Sequence, residues 1–263
     1  MLNFCSLYSG SSGNSFFIQS DCTNLLVDIG LSAKKIILAL ESINIQPSSI
    51  DGILITHEHS DHVQGLGVFC KKYNIPIYIN EKTFYAIKDS YTKGITKDIL
   101  NFITIGEDFI LNDLNIHPFA TPHDAVNPCG FTIKKGDKKI SIATDIGNMT
   151  TNILKCLEKS CFVLLESNYD PNVLKCASYP YKLKTRIAGP TGHLSNESAG
   201  KTLVHLIDHG LTHAMLGHLS KESNFPELAY TTVMEEIISN KKENNIHLSV
   251  ASRDCCSKLI ELE

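Results

Sequence analysis

The stretch Ile53-Leu54-Ile55-Thr56-His57-Glu58-His59-Ser60-Asp61-His62 determines how this chain is interpreted. Its apolar start predicts a buried strand, which delivers three histidines and an aspartate within six positions. His57 and His59 are two residues apart, so on an extended backbone their side chains project to the same side. Asp61 and His62 follow where the chain turns into a predicted helix. Four side chains of the types that bind metals converge at a strand end, which predicts a metal site.

The composition is that of an ordinary globular protein. The chain has 263 residues, 43% hydrophobic and 20% charged, which excludes a disordered or collagen-like chain. The formal net charge of -4 argues against broad electrostatic adhesion to nucleic acid and leaves room for a local phosphate site. Only Arg186 and Arg253 carry guanidinium groups, so bidentate recognition of a phosphate is confined to two places.

The number and spacing of the nine cysteines bear on the cellular compartment of the protein. They are scattered and no C-x-x-C spacing occurs, which excludes zinc-ribbon and thioredoxin-type motifs. Free thiols are typical of the reducing cytosol. The first residues lack the basic region and cleavage site of a signal peptide, and no apolar run has the length of a membrane span. We therefore expect a soluble cytoplasmic protein with no membrane partner.

Strand and helix patterns alternate along most of the chain. The first part predicts two helices, Ala33–Ile43 and His62–Tyr73, among the strands Phe4–Tyr8, Phe16–Gln19, Asn24–Asp28, Gly52–Thr56 and Ile75–Ile79. The middle, from Phe102 to Asp145, predicts antiparallel strands with a hairpin turn. Alternation then resumes up to a strand predicted over His247–Ala251. Mixed sheets with helices outside them predict a layered α/β sandwich, which we expect to form one domain over residues 1–263.

The pattern of ligand-type residues resembles that of the metallo-β-lactamase superfamily. The superfamily's signature segment is similar to residues 57–62, and Asp28 after an apolar strand resembles its first motif. Three later motifs resemble short segments with one candidate ligand each: Ala120–Ala125 with His123, Ile142–Gly147 with Asp145 and Met215–Ser220 with His218. The resemblance covers most of the chain. It implies a four-layer αβ/βα sandwich with a dinuclear metal site.

The resemblance also implies roles for these residues. One metal is held by three histidines, the other by an aspartate and two histidines, and a further aspartate bridges them: His57, His59 and His123; Asp61, His62 and His218; and Asp145. Asp28 is expected to orient the histidine loop through hydrogen bonds. Imidazole and carboxylate ligands suit two divalent ions of zinc, manganese or iron. Asp61 is also predicted to be a catalytic residue.

The segment Thr191–Gly200 narrows the predicted reaction. His193 precedes a predicted helix N-terminus, whose free N–H groups favour an anion. The pairing of this histidine with His218 resembles the phosphodiesterase branch of the superfamily. That resemblance implies that His193 is catalytic, contacting the phosphate and donating a proton to the leaving oxygen. Ser195 either contacts the substrate or caps the helix, and the sequence leaves both interpretations open.

The neighbouring stretch Tyr179–Arg186 interleaves two tyrosines with three cations. This composition suits a phosphodiester backbone and an unstacked base. Lys184 and Arg186 are therefore predicted to bind substrate. A solvated basic loop is the alternative, and for any single lysine it is the better interpretation.

Three further segments resemble the YycJ/WalJ family of bacterial proteins: Ser6–Ser15, Glu166–Asp170 and Gly192–Asn196. This resemblance implies a DNA exonuclease acting on 5′ ends, in which metal-activated hydroxide attacks phosphorus. Asn168 either contacts the substrate or holds a turn, and the glycine–serine turn of the first segment either approaches the phosphate or forms a tight hairpin. A hydrolase of a small ester, thioester, lactone or cyclic phosphodiester is the alternative function, and the oligomeric state stays open.

Overall fold

Two seven-stranded sheets lie face to face at the centre of the molecule. A computed structural model of the chain describes residues 1–262. The strands of the first sheet are β1 (Leu2–Tyr8), β2 (Ser15–Ser20), β3 (Asn24–Val27), β4 (Gly52–Leu54), β5 (Ile77–Asn80), β6 (Leu100–Ile103) and β14 (Ile260–Leu262). The strands of the second sheet are β7 (Phe109–Leu111), β8 (Leu114–Ala120), β9 (Cys129–Lys135), β10 (Lys138–Ala143), β11 (Phe162–Glu166), β12 (His213–Gly217) and β13 (His247–Val250).

Each sheet combines an antiparallel part with a parallel part. The first sheet has the order β14-β1-β2-β3-β4-β5-β6, in which β3 to β6 are parallel. The second has the order β13-β12-β11-β10-β9-β8-β7, in which β10 to β13 are parallel. The parallel parts bring the carboxyl ends of several strands to one edge, which is where open α/β sheets bind their ligands.

Helices cover the outer face of each sheet. The helices of the first half are α1 (Ala33–Ser42), α2 (Ser60–Val63), α3 (Leu66–Tyr73), α4 (Glu81–Ala86) and α5 (Asp89–Thr92). Those of the second half are α6 (Thr151–Leu157), α7 (Pro171–Cys176), α8 (Tyr181–Ile187), α9 (Asn196–Asp208) and α10 (Pro226–Ser239). The predicted four-layer αβ/βα sandwich is confirmed. Within residues 1–262, none of these helices combines the length and the apolar character that crossing a membrane requires.

Apolar burial holds the layers together. Between the sheets, Phe4 of β1 packs on Phe162 of β11 with ring centroids 4.4 Å apart, and Phe16 lies 6.2 Å from Phe4. A second cluster joins α1 and α3 to the first sheet, and a third joins α6, α9 and α10 to the second sheet. Burying one large apolar side chain stabilises a protein by about 1.5–3 kcal/mol. These clusters therefore hold the strand ends, and the side chains that follow them, in place.

The break between α2 and α3 corrects the prediction of one helix over His62–Tyr73. Gly65 lies at the break, and its backbone N–H donates to Ile29 O at 3.0 Å. A Cβ at this position would lie 2.1 Å from Leu31 O, so only glycine permits the close approach of the two backbones. The helical periodicity of the sequence continues across this tertiary contact and does not reveal it.

The basic stretch after Tyr179 is not the solvated loop that was the alternative interpretation of the sequence. Residues Tyr181–Ile187 form α8, and α7 precedes it, so this part of the chain is a pair of short helices. Asp170 caps α7 by accepting hydrogen bonds from two backbone N–H groups. The sequence patterns do not predict α4, α5, α7, α8 or β14. All five are at most seven residues long, too short for periodicity to be informative.

We predict that the contact between Phe4 and Phe162 contributes strongly to stability. Phe4→Ala removes a fully buried ring and should lower the free energy of unfolding by about 3–5 kcal/mol. Ile110→Ala, at a strand residue that is 76% exposed, should change it by less than about 0.5 kcal/mol. Urea denaturation followed by circular dichroism measures both. Equal losses in the two variants would contradict the role given to the inter-sheet core.

Candidate metal centre

The candidate site lies where strands of both sheets end at one edge. Asp28 directly follows β3, and His57 lies three residues beyond β4. In the second sheet, Asp145 lies two residues beyond β10, Glu166 is the last residue of β11, and His218 directly follows β12. The topology therefore collects side chains that are far apart in the sequence.

Four overlapping groups of ligand-type side chains form at this edge, and within each group one ligand atom per residue lies within 4.8 Å of the others. Two of the groups are His57, His59 and His123, and Asp61, His62 and His218; the other two are His57, His62 and Asp145, and Asp145, Glu166, His193 and His218. The first two groups are the two triads that the family resemblance assigns to two metals. The structure brings the members of each triad together, and a divalent ion prefers such sets of imidazole and carboxylate ligands.

Asp145 lies between the two triads. Its Oδ1 is 3.6 Å from His123 Nε2 in one triad. Its Oδ2 is 3.3 Å from His62 Nε2 and 3.4 Å from His218 Nδ1 in the other. A carboxylate in this position can contribute one oxygen to each side.

Three ligand atoms of this cluster have no hydrogen bond of good geometry, although Asp145 Oδ2 lies 3.3 Å from His62 Nε2 and 3.4 Å from His218 Nδ1. His57 Nε2, Asp145 Oδ2 and His218 Nδ1 are buried, and within residues 1–262 they form no hydrogen bond. Leaving a buried polar atom unpaired costs about 1–3 kcal/mol, so three in one place require an explanation. Divalent ions would satisfy all three, and the residues present therefore fit a metal centre.

The outer nitrogens of two histidines are already occupied. His62 Nδ1 lies 2.7 Å from Asp28 Oδ2, and His123 Nδ1 donates to Gly192 O at 3.0 Å. Asp28 is itself held by Thr56, whose backbone N–H and hydroxyl both donate to the carboxylate, at 2.9 and 2.8 Å. These contacts direct Nε2 of each histidine toward the cluster, as in known metal sites.

The cluster concentrates opposed charges in a buried space. Burial disfavours a charge on His57 and holds its pKa well below the ordinary value. Burial also acts against a charge on His62, but Asp145 and Asp28 outweigh it and raise the pKa of His62 well above the ordinary value. For Asp145, burial is outweighed by His218 and His62, which hold its pKa well below the usual range. The carboxylate of Asp145 therefore stays ionised at the centre of the cluster.

Three residues of the site have a left-handed backbone. The φ angles are 62° at Asp28, 58° at Asp145 and 54° at His218. Outside glycine this region is sparsely populated and costs of order 1–3 kcal/mol, so it persists where the surrounding structure enforces it. Each of these residues follows a strand, and the turn directs its side chain into the cluster.

His193 and Glu166 form a pair beside the triads. His193 Nδ1 lies 2.6 Å from Glu166 Oε1, and the other oxygen, Oε2, accepts from the backbone N–H groups of Ile146 and Leu194 at 2.7 and 3.1 Å. Burial lowers the pKa of His193, but the carboxylate of Glu166 outweighs this effect and raises it to about 9. His193 Nδ1 is also 3.9 Å from Asp145 Oδ1, so the pair lies within reach of the same reacting group.

Four residues were predicted to bind substrate, and in the structure each of them contacts other protein groups: Ser195, Asn168, Arg186 and Lys184. The Ser195 hydroxyl accepts from Ser198 N at 3.2 Å and caps α9. Asn168 is 2% exposed, and its amide donates to His218 O at 2.8 Å, so it holds the turn that carries His218. These contacts match the structural alternatives for both residues.

Arg186 and Lys184 both belong to α8. Arg186 forms an ion pair with Asp124, next to His123. Lys184 Nζ donates to Lys175 O at 2.6 Å and ties α8 to the last turn of α7. Arg186 also lines a cleft of about 390 Å³ in front of the triads, together with Glu58, His59, Ser60, Asp61, Ala86, Lys88 and Tyr91. The cleft therefore carries two cations, Lys88 and Arg186, and two acidic side chains, Glu58 and Asp61.

Two residues of the glycine–serine turn reach the site and were not predicted to do so individually. Asn14 Nδ2 lies 3.2 Å from His62 Nε2 and 3.4 Å from Asp61 Oδ2. Ser9 Oγ accepts from the backbone N–H of His218 at 2.8 Å. The turn therefore supports the ligands of both sheets. The sequence indicates the glycine–serine turn, but only the folded structure shows which residues the turn contacts.

Known proteins match the chain closely enough to establish its relationship. A family model described as the metallo-beta-lactamase superfamily matches residues 8–155. Exodeoxyribonuclease WalJ of Streptococcus pneumoniae is 40% identical over 232 residues, which cover 88% of this chain and 86% of that protein. Exodeoxyribonuclease YycJ of Bacillus anthracis is 34% identical over 234 residues, which cover 89% and 88% of the two chains.

The architecture is shared more widely. The metallo-beta-lactamase fold protein YhfI from Bacillus subtilis superposes with a TM-score of 0.71 at 16% identity, covering 97% of this chain and 98% of that one. This likeness concerns the fold alone. The resemblance inferred from the sequence motifs is confirmed by the family model and by the two exodeoxyribonucleases. The chain belongs to the metallo-beta-lactamase superfamily and, within it, to the WalJ/YycJ family.

Proposed function

We propose that this protein is a metal-dependent exodeoxyribonuclease that hydrolyses phosphodiester bonds at two divalent cations. The observation that carries the proposal is the pair of triads with Asp145 between them, in a chain whose relatives WalJ and YycJ are named exodeoxyribonucleases. The family resemblance supports action on 5′ ends. Free thiols at all nine cysteines support a location in the cytoplasm.

The family resemblance and the grouping of side chains support the following ligand roles. His57, His59 and His123 would hold one ion, Asp61, His62 and His218 would hold the other, and Asp145 would contact both. Zinc, manganese and iron all accept this donor set. When bound, such ions polarise the phosphoryl group and make water acidic enough to react near neutral pH. Asp28 is the residue that orients His62, through the 2.7 Å contact described above.

The remaining groups handle protons and position the substrate. Asp61 lines the cleft, where its carboxylate can orient the attacking water and accept its proton. His193, held through Nδ1 by Glu166, donates a proton to the leaving oxygen. Lys88 and Arg186 at the cleft attract the phosphate backbone. Asn168 and Ser195 act as positioning residues for His218 and α9.

A panel of end-labelled DNA and RNA tests the proposed function. The purified protein, loaded with manganese or with zinc, is expected to release mononucleotides from the 5′ ends of DNA and to leave matched RNA largely intact. Denaturing gels of 5′- and 3′-labelled strands separate exonuclease from endonuclease action. Turnover of small esters or lactones with all nucleic acids left intact would contradict the proposal and favour the alternative hydrolase.

We predict that Asp145→Ala removes metal and activity together, because this carboxylate lies between both triads. After reconstitution, inductively coupled plasma mass spectrometry should find at least one ion lost per chain, and hydrolysis of DNA should fall to background. Asp108→Ala is the matched control, since Asp108 is a carboxylate that contacts only surface groups such as His117. Full metal occupancy in Asp145→Ala would refute the ligand role.

We predict that His193→Ala lowers DNA turnover by about 10²–10⁴-fold, the range for loss of a general acid, and leaves the metal content unchanged. Its effect on bis(4-nitrophenyl) phosphate should be far smaller, because 4-nitrophenolate leaves without taking up a proton. Glu166→Gln should show the same contrast in weaker form, since it removes the charge that holds His193. Equal losses on both substrates, or loss of metal, would show that His193 is not the proton donor.

A further inference from the structure

An apolar cavity lies between α7, α8 and the segment that follows β11. Its volume is about 410 Å³, within the range of small-molecule sites, which is about 300–1,000 Å³. Tyr169, Leu174 and Ala188 line it, and Tyr181 and two lysines stand around it. Neither the ligand roles nor the proton transfers proposed above use this cavity.

The lining combines a packed floor with an open aromatic rim. Tyr169 and Leu174 are buried in a small cluster with Ile187, which fixes the floor. Tyr181 is 83% exposed, so nearly its whole ring is available to a ligand. A packed apolar floor together with an exposed aromatic side chain is suited to binding a flat ring.

The charge around the cavity is positive. Lys175 and Lys184 line it, and none of the described residues that line it is acidic. Lys184 Nζ donates to Lys175 O at 2.6 Å, which holds the two helices together at this point. The occupant is therefore expected to combine an apolar ring with an anionic group, as a nucleotide does.

The cavity is connected to the site by short backbone links. Tyr169 lies three residues after Glu166, a distance of at most about 11 Å along the chain. At the other end of the cavity, the backbone N–H of His193 donates to Ile187 O in the last turn of α8 at 2.9 Å. Arg186, in the same turn, pairs with Asp124 beside the first triad. The cavity and the candidate metal centre therefore share α8 and the segment after β11, with Arg186 on a different face of the helix from the cavity-lining residues.

We propose that this cavity binds one unpaired nucleobase of the DNA strand, stacked on Tyr181, with its phosphate between Lys175 and Lys184. The inference rests on the proposed function and deepens it, because it makes the enzyme select strands whose end is single-stranded or frayed. A base paired within a duplex presents only its edge and cannot enter between two helices. Unpairing the terminal nucleotides thus becomes a condition for tight binding.

Equilibrium binding to a single strand with one abasic nucleotide, moved along the strand, tests this proposal. Fluorescence anisotropy of the metal-loaded protein, on strands whose phosphorothioate linkages slow cleavage, measures the dissociation constant. For the unaltered protein, the abasic nucleotide should weaken binding about 5- to 150-fold at one position near the 5′ end, the loss expected for one base–aromatic stack. Tyr181→Ala should weaken binding to the intact strand by a similar factor and remove the dependence on position.

Two further variants keep the test specific. Tyr181→Phe retains the aromatic face and should bind within about twofold of the unaltered protein. Ala188→Phe fills the cavity and should reproduce the effect of Tyr181→Ala. Tyr230→Ala, at a tyrosine of α10 that is 39% exposed, is the matched control and should bind normally.

The outcomes separate this inference from the proposed function. If DNA is degraded but binding shows no dependence on the abasic position and none on Tyr181, the nucleobase site is wrong and the nuclease proposal stands. If binding shows both dependences but no DNA is degraded with any metal, the site is supported and the nuclease proposal is wrong. Failure of both assays overturns both.

Discussion

The candidate site depends on a buried cluster of imidazoles and carboxylates in which Asp145 lies between histidines of both triads. Burying ionised groups without compensation is costly, because water no longer solvates them. His57, His62 and Asp145 have ligand atoms within 4.8 Å of one another at the junction of the two sheets. Asp28 contacts Nδ1 of His62. Three buried ligand atoms of the cluster, on His57, Asp145 and His218, form no hydrogen bond within the described residues. Each of the two sheets contributes ligands, so ions at this junction would also hold the sheets together.

The local part of this centre can be predicted from the sequence. The segment from His57 to His62 supplies four ligand-type side chains within six residues: His57 and His59 lie in the loop after β4, and Asp61 and His62 lie in α2. Asp28, Asp145 and His218 each follow an apolar strand, and parallel strands end at the same edge. The family resemblance supplies the sheet topology, and the convergence of these three residues follows from that topology. The predicted fold class rests on the same alternation of strands and helices.

Other contacts could not be predicted, because they join distant parts of the chain. Glu166 lies 27 residues before His193, and only the end of β11 beside α9 brings them to 2.6 Å. Asn14 reaches His62 across 48 residues, and Gly65 breaks a helical pattern because of a backbone contact with Leu31. Side-chain type alone also leaves roles ambiguous. For example, the hydrogen bond from Ser198 N to the Ser195 hydroxyl identifies Ser195 as a helix cap, which its residue type alone does not.

The segment from Arg186 to His193 explains how binding and chemistry are joined. Gly192 O accepts from His123 Nδ1, Arg186 pairs with Asp124, and His193 donates its backbone N–H to Ile187 O. One short stretch thus positions a proposed metal ligand and the proposed proton donor, and α8 connects it to the proposed nucleobase cavity. Binding energy gained away from the reacting atoms raises the rate only when it improves their alignment. Helix α8 lines the proposed nucleobase cavity and also contacts the backbone of His193. A base held in that cavity would therefore help to orient the same DNA strand relative to His193. That would favour catalysis on strand ends over small phosphodiesters that lack a neighbouring base.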